Sequence, residues 1–156
     1  MTTHFDPTLD LLLERDLDVA PAKLWACWTQ PALLEKWFCP VPWRATDIEI
    51  DLRPGGRFRS VIRGPNGEAM PGSGCYLDIV PERRLVWTDA LTEGYRPGAE
   101  PFFTGVITFT PVASGTRYRA VAMHASAEGR AKHDAMGFQD GWGKATDQLL
   151  ALARTL

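Results

Sequence analysis

Three histidines, three cysteines and one strand-end carboxylate are the side chains best suited to chemistry in this chain. His124 closes the alternation Tyr118, Ala120, Ala122, His124, so it shares a strand face with a tyrosine and two small residues. An inward imidazole at a cavity mouth can act as a general acid–base or as a hydrogen-bond donor. The competing reading, which the pattern favours, is a structural histidine with its ring nitrogens satisfied. His133 falls across a helix from its apolar stripe and reads as a solvated surface residue. His4 lies in the polar N-terminal stretch and reads as part of a mobile tail. Asp89 shares strand parity with Leu85 and Trp87 and reads as an exposed strand-end carboxylate; turned inward, it would pair with an arginine or with His124. Cys27, Cys39 and Cys75 form no Cys-x-x-Cys pair, and the histidines add no ligand spacing, so neither a metal nor a cofactor is expected. No P-loop, dinucleotide glycine fingerprint, Gly-x-Ser-x-Gly or His-Glu-x-x-His is present. His124 is therefore the one catalytic candidate, and the chain reads more readily as a binder than as an enzyme.

These residues need elements to position them. Ala131, Ala135, Phe138, Trp142, Ala145, Leu149, Leu152 and Leu156 recur at spacings of four and three, which predicts one long amphipathic helix to the end of the chain. Trp142, at the middle of that stripe, is expected to be buried against a sheet. Gly137 and Gly141, one turn apart beside the stripe, point to a close neighbour, most simply a packed strand or short helix. Leu9, Leu11, Leu13 and Leu17 alternate with charged residues and predict a first strand. Pro21 and Pro31 each open a short helix, and Pro40 and Pro42 end the second. From Thr46 to His124 the pattern predicts six further strands. Gly74 marks an expected bulge, and Ala90 to Pro101 forms a long loop. The acidic face Asp47, Glu49, Asp51 precedes the basic face Arg57, Arg59, Arg63, so cross-strand ion pairs are the natural account of these arginines. The sum is α+β: a curved antiparallel sheet of about seven strands around a long C-terminal helix, with two short helices after the first strand. This helix-grip arrangement is expected as a single domain over residues 1–156.

Helix and sheet in such a fold can leave space between them, and six Trp with seven Phe can line it. A net charge of −2 gives no reason to expect nucleic acid, and no apolar run has the length of a membrane span. An odd number of cysteines behind a polar Met1–Pro7 stretch reads as reduced, cytoplasmic protein with free thiols. It is expected to be a monomer or homodimer.

Several spaced motifs occur in order. They are Pro21-x-x-Leu24-Trp25, Trp37, Pro40, Asp51-Leu52-Arg53-Pro54-Gly55-Gly56-Arg57-Phe58, then Gly74-x-Tyr76-Leu77-Asp78-Ile79-Val80-Pro81 through Trp87-Thr88, Gly115-Thr116-Arg117 and Gly141-Trp142. This series resembles the family named for the activator of the heat shock protein 90 ATPase, in the START/Bet v 1-like (SRPBCC) superfamily. The resemblance runs from about Leu9 to Leu152. It implies the helix-grip fold and three rival roles: binding of a small apolar molecule, cyclase- or hydrolase-type catalysis through His124, or a chaperone-associated interaction module. The eukaryotic co-chaperone carries this domain behind a separate N-terminal domain. The present sequence starts at the first strand, so co-chaperone activity is not expected.

The binding reading commits to particular walls: Trp25, Trp28, Trp37, Phe58, Trp87, Phe102, Met123 or His124, Phe138 and Trp142. Polar orientation is expected from Tyr118, Ser60 or His124. Because Ala120 and Ala122 are small, the cavity is expected near Ala122, Phe138 and the Ala90 to Pro101 loop, holding a hydrophobic or aromatic compound.

Overall fold

The computed structural model describes residues 4–156. In β1 (Asp10–Leu17), Leu11, Leu13 and Leu17 are buried while Glu14 and Asp16 stay exposed, as period two requires. Helix α1 (Pro21–Thr29) and helix α2 (Pro31–Leu34) each begin with the expected proline. Strands β2 (Arg44–Ile50), β3 (Arg57–Arg63), β4 (Ala69–Val80) and β5 (Arg84–Thr88) follow. The long loop then holds two short strands, β6 (Leu91–Thr92) and β7 (Arg96–Pro97), paired with each other. Strands β8 (Thr104–Val112) and β9 (Gly115–Met123) complete one antiparallel sheet in the order β1-β9-β8-β5-β4-β3-β2. Two helices end the chain, α3 (Ala127–Ala135) and α4 (Phe138–Ala153). Helix α4 packs on α1 and β1, and the core lies between it and the concave sheet face.

The charged hairpin forms the expected cross-strand pairs. Glu49 bridges Arg57 and Arg59, and Asp47 bridges Arg63. All three cysteines are free thiols. No helix among the described residues is long and apolar enough to cross a membrane.

Four expectations are corrected. The terminal helix is broken rather than continuous: Gly137 adopts φ +89°, a left-handed conformation that glycine reaches without steric cost, and it becomes the N-cap of α4. The break resets the register. Ala131 and Ala135 are exposed and His133 is buried, the reverse of the uninterrupted stripe. The bulge on β4 falls at Leu77, not Gly74, because Tyr76 pairs Trp87 while Asp78 pairs Val86. Tyr76 and Ile79, three apart, therefore both reach the inner core, and Leu77 joins an outer cluster. A second irregularity, between Thr46 and Glu49 on β2, turns Ala45 inward and leaves Thr46 bonded to Arg63 on the outer side.

The outer sheet face carries a small apolar cluster of Val86, Val106 and Val121, joined by Leu12, Leu77 and Met123. Met123 is thus a residue of the outer face and not of the cavity wall. The three valines are buried, and Phe5 and Arg119 flank a shallow crevice beside them.

Candidate ligand cavity

Between the concave sheet and the helices lies a cavity of about 470 Å³. Its aromatic wall centres on Trp28, whose ring centroid is 4.9 Å from Trp37, 5.6 Å from Phe38 and 5.2 Å from Trp87. The polar edges of two of these indoles are spent inside the protein. Trp28 Nε1 donates to the Tyr118 hydroxyl at 3.1 Å, and Trp37 Nε1 donates to the Cys27 carbonyl at 3.0 Å. With those two N–H groups paired, Trp28 and Trp37 present hydrocarbon and π surface. Burial holds the Tyr118 phenol well above its usual pKa, so it is neutral.

Strands β3 and β4 supply the opposite wall through Phe58, Ser60, Ile62 and the Gly72–Gly74 stretch. Phe58 is kept in place by stacking on Tyr76, with centroids 5.3 Å apart and planes within 8°. The helical side comes from His133, Met136, Gly137, Phe138, Gly141, Trp142, Ala145 and Thr146. A Cβ added at Gly137 or Gly141 would meet nothing within 4 Å. The glycine pair therefore faces open space, not a packed strand or short helix.

Eight of the residues expected from sequence line this space: Trp28, Trp37, Phe58, Ser60, Trp87, Tyr118, Phe138 and Trp142. Besides Met123, four do not. Trp25 packs edge-on against Phe109, with centroids 5.7 Å apart. Ala122 is fully buried in filled core. The filling is Trp87, which reaches across Gly105, the cross-strand partner of both Trp87 and Ala122. A Cβ at Gly105 would come within 2.5 Å of that indole. Phe102 lies behind the histidines, 4.6 Å from the His133 ring, with the Lys132 ammonium 6.0 Å from its own ring centroid. His124 is inward and buried, as its strand parity requires, but His133 stands between it and the cavity.

The cavity thus sits at Phe138 as expected but opens toward β3 and β4, and no described residue of the 90–101 loop lines it. Asp89 is a cap and not a free surface carboxylate: it accepts from Phe102 N–H at 2.8 Å and Phe103 N–H at 3.3 Å. Trp142, expected to be buried, is only partly so, because its face borders the cavity.

Sequence reasoning missed Phe38, Phe103 and His133. Phe103 had a readable signal, since it shares parity with Gly105, Ile107 and Phe109. His133 had none, because its inward position depends on the break at Gly137. Its ring packs among Phe102, Phe103, Phe138 and Trp142. Burial, and then the neighbouring His124, lower its pKa to about 4 against a smaller opposing effect of Asp134. The thiols of Cys27 and Cys39 are pushed up to about 11 by burial, so neither is a ready nucleophile. Among the described residues no cluster of three His, Cys, Asp or Glu side chains is placed to hold a metal ion.

A seven-stranded antiparallel sheet gripping a C-terminal helix, with a cavity between them, defines the START/Bet v 1-like class. The chain belongs to the family described as Activator of Hsp90 ATPase homolog 1-like protein, which it matches over residues 18–154. No curated protein matches it. Among solved structures, a protein from Nitrosomonas europaea shares 46% identity over 97% of each chain, with a TM-score of 0.94. A protein from Mycobacterium smegmatis shares 30% identity over 98% of this chain and 96% of its own, with a TM-score of 0.80. One from Rhodobacter sphaeroides shares 26% over 96% and 94%, with a TM-score of 0.81.

Proposed function

We propose that the protein binds one small hydrophobic or aromatic molecule between α4 and the sheet. The observation that carries this reading is a cavity of about 470 Å³ whose walls are aromatic and whose helical side has unfilled glycines. That volume falls within the roughly 300–1,000 Å³ usual for small-molecule sites. A domain that needed only a core would gain stability by filling such a space. Three free cysteines support a reducing, cytoplasmic setting.

The rival readings have less support. Catalysis through His124 would need that residue to touch a substrate, and His133 screens it. The family description raises a chaperone-directed role. On the outer face, however, the valine cluster is buried and the charged hairpin is paired, which leaves little apolar surface for docking.

Gly141→Leu separates binding from folding. The new side chain enters open space and replaces a helix-interior glycine, so the urea midpoint should hold or rise, by up to about 1 kcal/mol of stability. Wild type should enhance the fluorescence of the neutral probe N-phenyl-1-naphthylamine, and the variant should not. Native mass spectrometry of protein purified from cells should show a bound apolar compound in wild type alone. A wild type that neither carries nor binds such a molecule defeats the reading.

A further inference from the structure

The histidine pair defines the chemistry of the ligand and not only its size. His124 Nδ1 lies 2.8 Å from the Leu9 carbonyl oxygen. A carbonyl only accepts, so His124 Nδ1 carries a hydrogen. His124 Nε2 lies 2.9 Å from His133 Nδ1, and that contact needs one hydrogen between two nitrogens. Neither ring is paired with a carboxylate among the described residues, and both are buried, so neutral rings avoid an uncompensated charge. Neutral His124 has already placed its hydrogen on Nδ1, so its Nε2 accepts and His133 Nδ1 donates. One nitrogen remains, His133 Nε2. It has a lone pair, no partner among the described residues, and a ring that lines the cavity.

We propose that the cavity selects a neutral aromatic molecule carrying a hydroxyl donor, a phenol, whose O–H donates to His133 Nε2. This rests on the cavity reading above. Flat aromatic rings surround the acceptor, with Phe103 5.0 Å and Phe138 5.3 Å from the His133 centroid. No Lys or Arg lines the cavity among the described residues, so an anionic ligand finds no counter-charge. Both oxygens of the lining carboxylate, Asp89, already accept backbone N–H groups, from Phe102 and Phe103. A neutral donor is what remains. His124 is a positioning residue: it touches no ligand, and it sets which nitrogen of His133 is bare.

The test compares 2-naphthol with 2-methoxynaphthalene, which keeps the rings and loses the donor. Fluorescence titration of wild type at pH 7.5 should show naphthol bound about five- to tenfold more tightly, the value of one well-made hydrogen bond. His133→Phe should bind both with equal affinity. In the imidazole ¹⁵N spectrum of wild type, His133 Nε2 should be unprotonated and should shift with naphthol but not with the ether. Equal wild-type affinities for the two compounds overturn the phenol proposal and leave the cavity reading standing. Binding of neither overturns both. A protonated His133 Nε2 reverses the relay and also overturns it.

Discussion

The side-chain amide of Gln148 donates to the Cys39 carbonyl at 2.7 Å, tying the segment after α2 to the middle of α4. The same nitrogen reaches the Trp37 carbonyl at 3.0 Å, and Gln148 Oε1 accepts from Val41 N–H at 3.0 Å. Trp37, Phe38, Cys39 and Pro40 all line the cavity, so one glutamine fastens the segment that forms this wall. Gln148→Ala should cost about 1–3 kcal/mol in urea unfolding, because three backbone groups lose their partner in a partly buried place. Probe dissociation measured by stopped flow should quicken in the folded variant. An unchanged dissociation rate would mean that this segment does not gate the cavity.

The tryptophans should rank by what surrounds them. Trp28 is 3% exposed and bonded to Tyr118, so Trp28→Ala should cost roughly 3–5 kcal/mol. Trp142 borders empty space and loses fewer contacts, so Trp142→Ala should cost about 1.5–3 kcal/mol. Among the described residues Lys144 pairs only with exposed Asp140 one turn away, and Lys144→Ala should stay within about 0.5 kcal/mol. Urea melts of the three variants check the order. A Trp142 variant as costly as the Trp28 variant would show that the cavity closes on that side.

Much of this architecture is legible in the residues, and the failures have local causes. Alternation predicts strands well, because half-buried strands must show period two, as Leu11, Leu13 and Leu17 do. Bulges do not announce themselves: one extra residue near Asp47 or at Leu77 inverts the faces without changing composition. Gly137 reads equally as an interior glycine or as a helix boundary, and that single ambiguity hides the burial of His133. The cavity lies away from Ala122 for a different reason. Small Ala120 and Ala122 do leave room, but Trp87 takes it, and only the register that sets Gly105 between Trp87 and Ala122 reveals this. Eight of the thirteen expected lining residues do line the cavity, because residues on inward strand and helix faces meet wherever the concave side closes.

Acid should weaken the fold through His133 before it does so through the carboxylates. An unfolded histidine titrates near 6.5, whereas the folded His133 is held down at about 4, chiefly by burial and then by His124. The unfolded chain therefore binds the extra proton first. The stability that a neutral His133 allows is fully present above pH 6.5, falls as pH drops from 6.5 to about 4, and levels off below. Each unit of separation is worth about 1.4 kcal/mol, so the loss across this window is on the order of 3 kcal/mol. Asp6, held low by Thr8, and Asp47, held low by Arg63, start from 3.8 and act mainly below the window. His133→Gln keeps an amide donor for His124 but does not titrate. Its urea-derived stability should fall less steeply than that of wild type from pH 6.5 to 4. Parallel profiles for the two proteins would show that His133 is hydrated and takes up its proton normally.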